Sequence, residues 1–310
     1  MWQQIRGFSQ LKDMQKLAFA TLIILLCFIG VHAQDQPSSP WATDIASRYW
    51  VQPDIVYLSA NNTSLKLDVW YQHGVTTPTP TLVYIHGGGW IFGTKESSVL
   101  QFLPFLEKGW TVVNVEYRMA SNSLAPAAVE DTRCALRWVF RNAQQWHFDT
   151  SKIVLTGHSA GGHLSLITGM LPDGTPLDNR CYGDEKLKVA AIINWFGISD
   201  VNDLIKGSNL KNYAAMWMGN QPEAEAIARS VSPLTYVRSG LPPILSIHGD
   251  KDDVVPYSQS VRLHEALDKA KVPNRLFTIK DGGHGQFPQA DFVRSYEVIW
   301  TFLKQNRIIN

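Results

Sequence analysis

A serine stands between two glycines in the stretch Gly-His-Ser-Ala-Gly at 157–161, which fits the pattern Gly-x-Ser-x-Gly. The pattern alone occurs by chance in many chains. Here, however, an apolar strand pattern at 153–156 precedes it, and a helical pattern that begins at Ala160 follows it. A sharp strand-to-helix turn presents a serine Oγ clear of a sheet, and side chains at the glycine positions would crowd that turn. The sequence therefore predicts Ser159 as a nucleophile; the simpler interpretation is an ordinary serine in a glycine-rich turn.

An acidic loop follows a later apolar strand pattern. Residues 243–247 form that pattern, and His-Gly-Asp-Lys-Asp-Asp-Val-Val-Pro at 248–256 leaves it. The three aspartates of the loop cannot all lie buried against one imidazole, because unpaired buried charges are costly. Asp252 is predicted as the carboxylate that orients a catalytic base, with Asp250 as the alternative. His248, the first residue of this stretch, is expected to brace the loop through hydrogen bonds.

A histidine near the C-terminus completes the set. Asp-Gly-Gly-His-Gly at 281–285 follows the strand pattern at 276–279, and its glycines leave the loop free to turn His284 inward. The chain order Ser159, Asp252, His284 is one of the orders known for triads that activate a serine. These three matches together predict a Ser–His–Asp triad.

A run of glycines follows another strand pattern, in the stretch His-Gly-Gly-Gly-Trp at 86–90. Backbone N–H groups free of side chains can converge there on a developing oxyanion. Gly88 and Gly89 are the predicted donors, and the N–H of Ala160 is the third. A phosphate-binding loop is excluded because the stretch lacks both a Lys-Ser/Thr ending and the spacing Gly-x-Gly-x-x-Gly.

Four aromatic residues near these motifs are candidate substrate contacts. Trp90, Trp195 and Trp217 could form an aromatic wall for sugar or phenolic rings, and a core role for each stays open. His158 lies beside the predicted nucleophile and is included as a fourth substrate-binding candidate. No metal site is predicted, because the stretch at 263–267 has one histidine where a His-Glu-x-x-His motif needs two.

Strand and helix patterns alternate along the chain and would position these residues. Such alternation predicts a doubly wound, mostly parallel sheet. Helices are expected from Pro126, near 257–271 and at 289–305, and residues 200–238 form a longer insertion that is either a partial cap over a cleft or a decorated crossover. The strand patterns lie at 65–70, 81–85, 111–115, 153–155, 189–195, 243–247 and 276–279.

The N-terminal segment is typical of a secretory signal. Basic residues precede an apolar run at 17–31, and Val-His-Ala at 31–33 ends it, so residues 1–33 are predicted as a signal peptide cleaved after Ala33. The apolar run is short for a membrane anchor, which needs about twenty residues. Lipidation at Cys27 is disfavoured by the bulky leucine before it. Residues 34–53 are predicted as a linker or arm, and 54–310 as one catalytic domain.

Composition and charge narrow the function classes. Of 310 residues, 45% are hydrophobic and 18% charged, as expected for a folded protein with an ample core. The net charge is +1 and there is no basic stripe, so nucleic acid is an unexpected partner. An exported pair of cysteines, Cys134 and Cys181, could form a disulfide, but sequence cannot place them within bridging distance.

The chain resembles the esterase/lipase branch of the α/β-hydrolases that carries a His-Gly-Gly-x-Trp motif, and within it the bifunctional acetylxylan/feruloyl esterase-like carbohydrate esterases. The likeness covers about residues 50–308. It implies a mostly parallel sheet of about eight strands with helices on both faces, no cofactor, and Asp252 as the triad acid. The matching motifs lie at 65–69, 86–90, 116–118, 125–131, 157–162 and 248–256.

The resemblance and the predicted signal together imply a secreted or periplasmic serine esterase. Its expected substrates are acetyl or feruloyl esters on plant-type polysaccharide, or related small esters. The alternatives are a broad-specificity lipase or esterase, a formamidase-type amide hydrolase, and a non-catalytic binding module on a hydrolase scaffold. No stable membrane span is expected after signal cleavage, and the sequence leaves the oligomeric state open.

Overall fold

The computed structural model describes residues 39–181 and 183–310, so the predicted signal peptide at 1–33 lies outside the described residues. The chain divides into two units, Met1–Ser47 and Arg48–Asn310. Helix α1 (Pro40–Arg48) accounts for nearly all of the described part of the first unit. The second unit carries every candidate site residue.

The second unit is built on one eight-stranded sheet with the order β1-β2-β4-β3-β5-β6-β7-β8. Strands β1 and β2 pair antiparallel, β2 and β4 do likewise, and the remaining neighbours are parallel. The mostly parallel sheet predicted from the sequence is therefore confirmed. The strands are β1 (Tyr49–Ala60), β2 (Thr63–Gln72), β3 (Thr79–Ile85), β4 (Thr111–Val115), β5 (Phe148–His158), β6 (Ala191–Trp195), β7 (Ile244–Gly249) and β8 (Asn274–Ile279).

Strand β1 was not predicted, and it corrects the expected boundary of the linker. It begins at Tyr49, inside the segment 34–53 that the sequence assigned to a linker or arm. Most of its first residues are exposed, and Asp54 has a positive φ of 58° where the pairing with β2 shifts register. An exposed and irregular edge strand lacks the apolar alternation by which strands are recognised in a sequence.

Helices lie on both faces of the sheet because the chain crosses it in two directions. The connection from β3 to β4 moves toward the β1 edge of the sheet, whereas the connections from β4 to β5 and from β5 to β6 move toward the β8 edge. Because such connections are right-handed, those that move in opposite directions place their helices on opposite faces. The helices of the second unit are α2 (Val99–Glu107), α3 (Ala127–Arg141), α4 (Ala143–Trp146), α5 (Ala160–Met170), α6 (Asn202–Ile205), α7 (Asn212–Met218), α8 (Ala224–Ser230), α9 (Ser258–Lys269) and α10 (Gln289–Gln305).

Contacts between the helices agree with this arrangement. On one face, Phe105 of α2 packs edge-on against Trp300 of α10 with ring centroids 4.9 Å apart. On the other face, Thr132 of α3 hydrogen-bonds Thr168 of α5 at 2.7 Å. Between them, β4 and β6 are buried along their whole length, as expected of strands covered on both sides. Within the described part of the chain, no helix is both long and apolar enough to cross a bilayer.

The insertion at 200–238 packs against the loops that carry the candidate site. Trp217 of α7 is buried and stacks on Trp90 with ring centroids 4.2 Å apart. Lys211 Nζ donates to the Asp253 carbonyl at 2.6 Å, and the Tyr213 hydroxyl donates to the Val254 carbonyl at 3.1 Å. The insertion therefore contacts both the glycine loop after β3 and the acidic loop after β7.

A disulfide joins Cys134 of α3 to Cys181, with their Cα atoms 5.5 Å apart. Replacing both cysteines with alanine is expected to lower the free energy of unfolding by roughly 4 kcal/mol, since the bridge closes a loop of about 47 residues in the unfolded chain. Urea denaturation measures this difference. A reductant should lower the free energy of unfolding of the wild-type protein to that of the variant and leave the variant's value unchanged. Equal stability of the oxidised wild type and the variant would contradict the prediction.

Candidate active site

Ser159 lies at the sharp turn between β5 and α5. Its φ of 56° and ψ of −119° place a non-glycine residue in a backbone region that costs energy. Hydrogen bonds hold it there: the Ser159 N–H donates to the Trp195 carbonyl at 2.9 Å, and the His163 N–H donates to the Ser159 carbonyl at 3.0 Å. The turn therefore projects the Ser159 hydroxyl from the carboxyl edge of the sheet.

The two glycines of the serine motif are required by a close approach of β3. A Cβ atom built on either Gly157 or Gly161 would overlap the carbonyl oxygen of Ile85, the last residue of β3. In the sheet, Ile85 pairs with Gly157. Because strand order reverses at β3, the loops after β3 and β5 leave the sheet at a switch point, where α/β sheets form their binding crevices.

The structure brings the three predicted triad side chains together. His284, on the loop after β8, lies with Nε2 2.9 Å from Ser159 Oγ. Its other ring nitrogen, Nδ1, lies 2.7 Å from Asp252 Oδ2. A serine bonded to an imidazole that is oriented by a carboxylate is the geometry that generates a nucleophilic alkoxide.

Asp252 is a fully buried carboxylate with each oxygen in use. Oδ1 accepts the N–H groups of Val254 at 2.9 Å and Val255 at 2.8 Å, while Oδ2 faces His284. Burial alone would raise the pKa of this carboxyl, but hydrogen bonds from His248, His284 and the Val255 amide together hold the pKa well below its usual range. Asp252 is therefore ionised throughout the range in which proteins work.

The neighbouring aspartates have other roles. Asp250, the alternative acid, accepts the N–H of Asp281 at 2.7 Å and so ties the acidic loop to the loop that carries His284. The Asp253 side chain is exposed. Of the three, Asp252 is the one in contact with the imidazole.

His248 contacts the same carboxylate, which the sequence did not predict. Its Nε2 lies 3.0 Å from the Val255 carbonyl and 3.2 Å from Asp252 Oδ2, and its Nδ1 lies 2.7 Å from Ser260 Oγ. Because both oxygens near Nε2 only accept, Nε2 carries a proton. The sequence suggested that His248 braces its loop; the spacing of four residues to Asp252 was the available signal for this second contact.

The glycine loop curls beside the nucleophile. Gly88 and Gly89 have φ values of 119° and 60°, which favour glycine. A Cβ atom built on Gly87 would lie 3.6 Å from Ser159 Cβ, so the loop lies against the serine. Ala160 is the first residue of α5, and its N–H therefore has no partner within the helix. These positions suit the predicted oxyanion donors.

The expected aromatic wall is not formed by the three tryptophans. Trp90, Trp195 and Trp217 are each at most 1% exposed and pack in the core, so none offers a ring face to a substrate. Trp90 Nε1 donates to His163 Nδ1 at 3.1 Å, which anchors the glycine loop to α5. The assignment of these tryptophans to substrate binding is corrected: they support the loops of the site from behind.

A cavity of about 380 Å³ opens beside the triad. Three phenylalanines line it, and Phe196 also packs edge-on against His284 with ring centroids 4.7 Å apart. No sequence signal identified them, because they come from three separate stretches without a shared motif. His158, the fourth substrate candidate, does line the cavity. The lining consists of Tyr84, Gly87, Gly88, Phe92, Gly93, Ser97, Ser98, Gln101, His158, Phe196, Gly285 and Phe292.

Among residues 39–181 and 183–310, no group of three or more His, Cys, Asp or Glu side chains is arranged to hold a metal ion. The acidic and imidazole groups of the site are instead engaged with one another and with the backbone. The chemistry that this geometry supports is attack by Ser159 on an electrophilic carbonyl beside a ring of amide donors.

Comparison with known proteins places the sequence motifs and the fold in one family. The BD-FAE family model matches residues 67–267, more than half of the chain. The chain belongs to the BD-FAE family. This confirms the resemblance seen in the motifs, and the eight-stranded sheet confirms the fold that the resemblance implied.

This BD-FAE family member is similar to proteins described as esterases. It is 28% identical to Esterase LipC of Mycobacterium tuberculosis over 71% of this chain and 56% of LipC. A truncated carbohydrate esterase from gut microbiota has a TM-score of 0.70 and 27% identity, covering 84% of this chain and 97% of that one. Thermogutta terrifontis esterase 2, phosphorylated by paraoxon, has a TM-score of 0.67 and 26% identity, covering 83% and 94%. The chain spans less than two thirds of the curated relatives LipC and LipQ.

Proposed function

We propose that this chain is a serine carboxylic-ester hydrolase that works through an acyl-enzyme. The observation that carries the proposal is the continuous hydrogen-bonded path from Ser159 Oγ through His284 to the buried Asp252, set beside the glycine loop after β3. Membership of the BD-FAE family and likeness to esterases support it.

The mechanism follows from this geometry. His284 Nε2 takes the Ser159 proton as the oxygen attacks the ester carbonyl, and Asp252 stabilises the imidazolium that forms. The N–H groups of Gly88, Gly89 and Ala160 bind the oxyanion, each such donor contributing about 3–4 kcal/mol of transition-state stabilisation. The protonated His284 then donates to the leaving alcohol. Water, activated by the same imidazole, releases the acid from Ser159.

The substrate proposed is an acetyl or feruloyl ester on a polysaccharide or a related small ester. The carbohydrate esterase among the similar structures and the family itself support this choice. The cavity beside the triad is large enough for a phenolic acid or one sugar ring, being within the range of small-molecule sites. A broad-specificity esterase and an amide hydrolase of the formamidase type are the competing activities.

Export from the cytoplasm belongs to the same proposal. The disulfide between Cys134 and Cys181 supports an oxidising compartment, since such bonds are rare in cytosolic proteins. N-terminal sequencing of protein recovered from the periplasm or medium of expressing cells should begin at Gln34. Retention of residues 1–33 in the cytoplasmic fraction would contradict export.

The proposed activity is tested with a panel of pure substrates. The protein is incubated with 4-nitrophenyl acetate, methyl ferulate, acetylated xylan and an N-formyl arylamine, each beside the Ser159→Ala variant as a control for contaminating hydrolases. Release of acetate from the polymer or of ferulate supports the carbohydrate esterase. Cleavage of the formamide alone identifies an amide hydrolase, and cleavage of nothing refutes the proposal in favour of a binding module.

A further inference from the structure

The loop that carries His284 has few backbone contacts of its own. It lies at 280–288, between β8 and α10, and this stretch contains no helix or strand. Residues 283–287 make no backbone hydrogen bond with another described residue. Segments held by few hydrogen bonds open locally at low cost. The position of the His284 ring therefore depends on contacts made by side chains.

Phe196, the residue directly after β6, supplies one of these contacts. The hydrogen bonds to Ser159 and Asp252 hold the two ring nitrogens of His284. Phe196 packs edge-on against the same ring, with centroids 4.7 Å apart and planes at 66°. An edge-to-face arrangement is a favoured geometry for two rings. Phe196 is buried, so it offers the imidazole a fixed surface.

The Phe196 ring also contacts the loop on the C-terminal side of His284. A Cβ atom built on Gly285 would lie 3.0 Å from Phe196 Cζ, so the loop backbone lies against the tip of the ring. The Phe287 ring packs edge-on against Phe196 with centroids 5.8 Å apart. One side chain therefore contacts three of the five residues at 283–287.

The backbone of Phe196 is held in an uncommon conformation. Its φ of 40° lies in the left-handed region, which bulky residues rarely adopt. Its N–H donates to the Ile247 carbonyl at 2.8 Å, and the carbonyl of the preceding Trp195 accepts the Ser159 N–H at 2.9 Å. Backbone strain of this kind persists where the surrounding structure fixes it, and it is concentrated at functional sites. The dipeptide 195–196 thus contacts both the nucleophile and the base.

We propose that Phe196 is a positioning residue that holds the His284 ring in line with Ser159. It acts through the imidazole and its loop, without a contact to the reacting atoms. A displacement of about 1 Å can lower a rate about 100-fold, so a small shift of the imidazole has a large effect. The proposal rests on the ester hydrolysis proposed above.

Phe196→Leu tests the contact, because it keeps an apolar side chain and removes the ring edge. It should lower kcat for 4-nitrophenyl acetate about 10- to 100-fold. KM should stay nearly constant, since His284 acts in both formation and hydrolysis of the acyl-enzyme. Phe292→Leu is the matched control: Phe292 lines the same cavity but packs on Trp195 and Tyr296, and its replacement should leave kcat nearly unchanged. An equal loss of kcat in both variants, or none in Phe196→Leu, overturns the proposal.

A second variant approaches the contact from the loop. Gly285→Ala adds a Cβ that crowds the Phe196 ring, and because Gly285 is exposed the change opens no core. Its φ of 71° also strains alanine, but that strain is the same in every background. The shorter side chain of Phe196→Leu leaves room for the Cβ, so Gly285→Ala should cost less kcat there than in the wild-type protein. Equal losses in the two backgrounds overturn the contact.

Proton NMR separates positioning from turnover. The Nδ1 proton of His284, which is donated to Asp252, should give a sharp signal in the wild-type protein and a signal broadened by exchange with water in Phe196→Leu. The indole proton of Trp90, donated to His163, should stay sharp in both and so verify the fold. This difference in a wild-type protein that cleaves no ester would refute the esterase and leave the positioning role standing. An unchanged His284 signal in Phe196→Leu overturns the role whatever the turnover.

Discussion

Alanine in place of Ser159 is expected to lower kcat for ester cleavage by about 10⁶-fold, the loss seen when the nucleophile of a serine triad is removed. The reason is that no other hydroxyl contacts His284 Nε2, as far as the described residues show, so water alone would have to attack the carbonyl. The glycine loop and the Ala160 amide remain in place in this variant, and they should preserve a slow residual rate.

The measurement pairs steady-state kinetics with covalent labelling. A fluorophosphonate probe should label the wild-type protein and leave Ser159→Ala unlabelled, while the circular dichroism spectra of both remain alike. Ser151→Ala is the matched control, because Ser151 is an exposed serine whose hydroxyl bonds Asp149 at the start of the same strand. Ester cleavage by Ser159→Ala within tenfold of the wild-type rate would refute the catalytic assignment.

The sequence predicted the features that depend on residues close together in the chain, such as the serine motif and the buried strands. The glycines at 157 and 161 are needed because β3 lies against the turn, and that requirement leaves a short motif in the sequence. Strands such as β4 and β6 are buried on both faces and therefore appear as continuous apolar runs. The triad could be predicted because each member follows a strand, and parallel strands end at one edge of the sheet.

Contacts between distant segments could not be predicted in this way. A tryptophan near a catalytic motif is equally compatible with a substrate wall and with a core, and only the packing of α7 on the glycine loop decides that Trp90 and Trp217 are buried. The cavity is lined by residues from the glycine loop after β3, the ends of β5 and β6, the loop after β8 and two helices, so its lining has no sequence pattern of its own. The pairing of Cys134 with Cys181 likewise depends on where α3 ends up relative to a later loop.

His248 braces its loop as predicted, and it also contacts the triad aspartate, which was not predicted. The sequence placed it as a brace of the acidic loop, and its bonds to Ser260 and the Val255 carbonyl are those of a brace. Its contact with Asp252 Oδ2 links that brace to the triad. The His248 side chain therefore has two roles. It holds the loop that carries Asp252, and its Nε2 proton stabilises the ionised form of Asp252.

Replacing Asp252 with asparagine is expected to lower kcat by about 10⁴-fold, the loss found when a triad aspartate becomes an amide. The Val254 and Val255 N–H groups both donate to Oδ1, so the asparagine must keep its carbonyl oxygen there. Its NH₂ group then faces His284 Nδ1, which has to accept. The imidazole proton moves to Nε2, and that nitrogen can no longer take the proton of Ser159.

Asp253→Asn is the matched control, because it makes the same chemical change at the next residue, where the side chain is exposed. It should retain activity within about twofold of wild type, since surface changes away from a site are small in effect. NMR of the His284 ring nitrogens gives a direct readout, with the proton on Nδ1 in the wild-type protein and on Nε2 in Asp252→Asn. Full activity of Asp252→Asn, or an equal loss in Asp253→Asn, would show that the buried carboxylate does not orient the base.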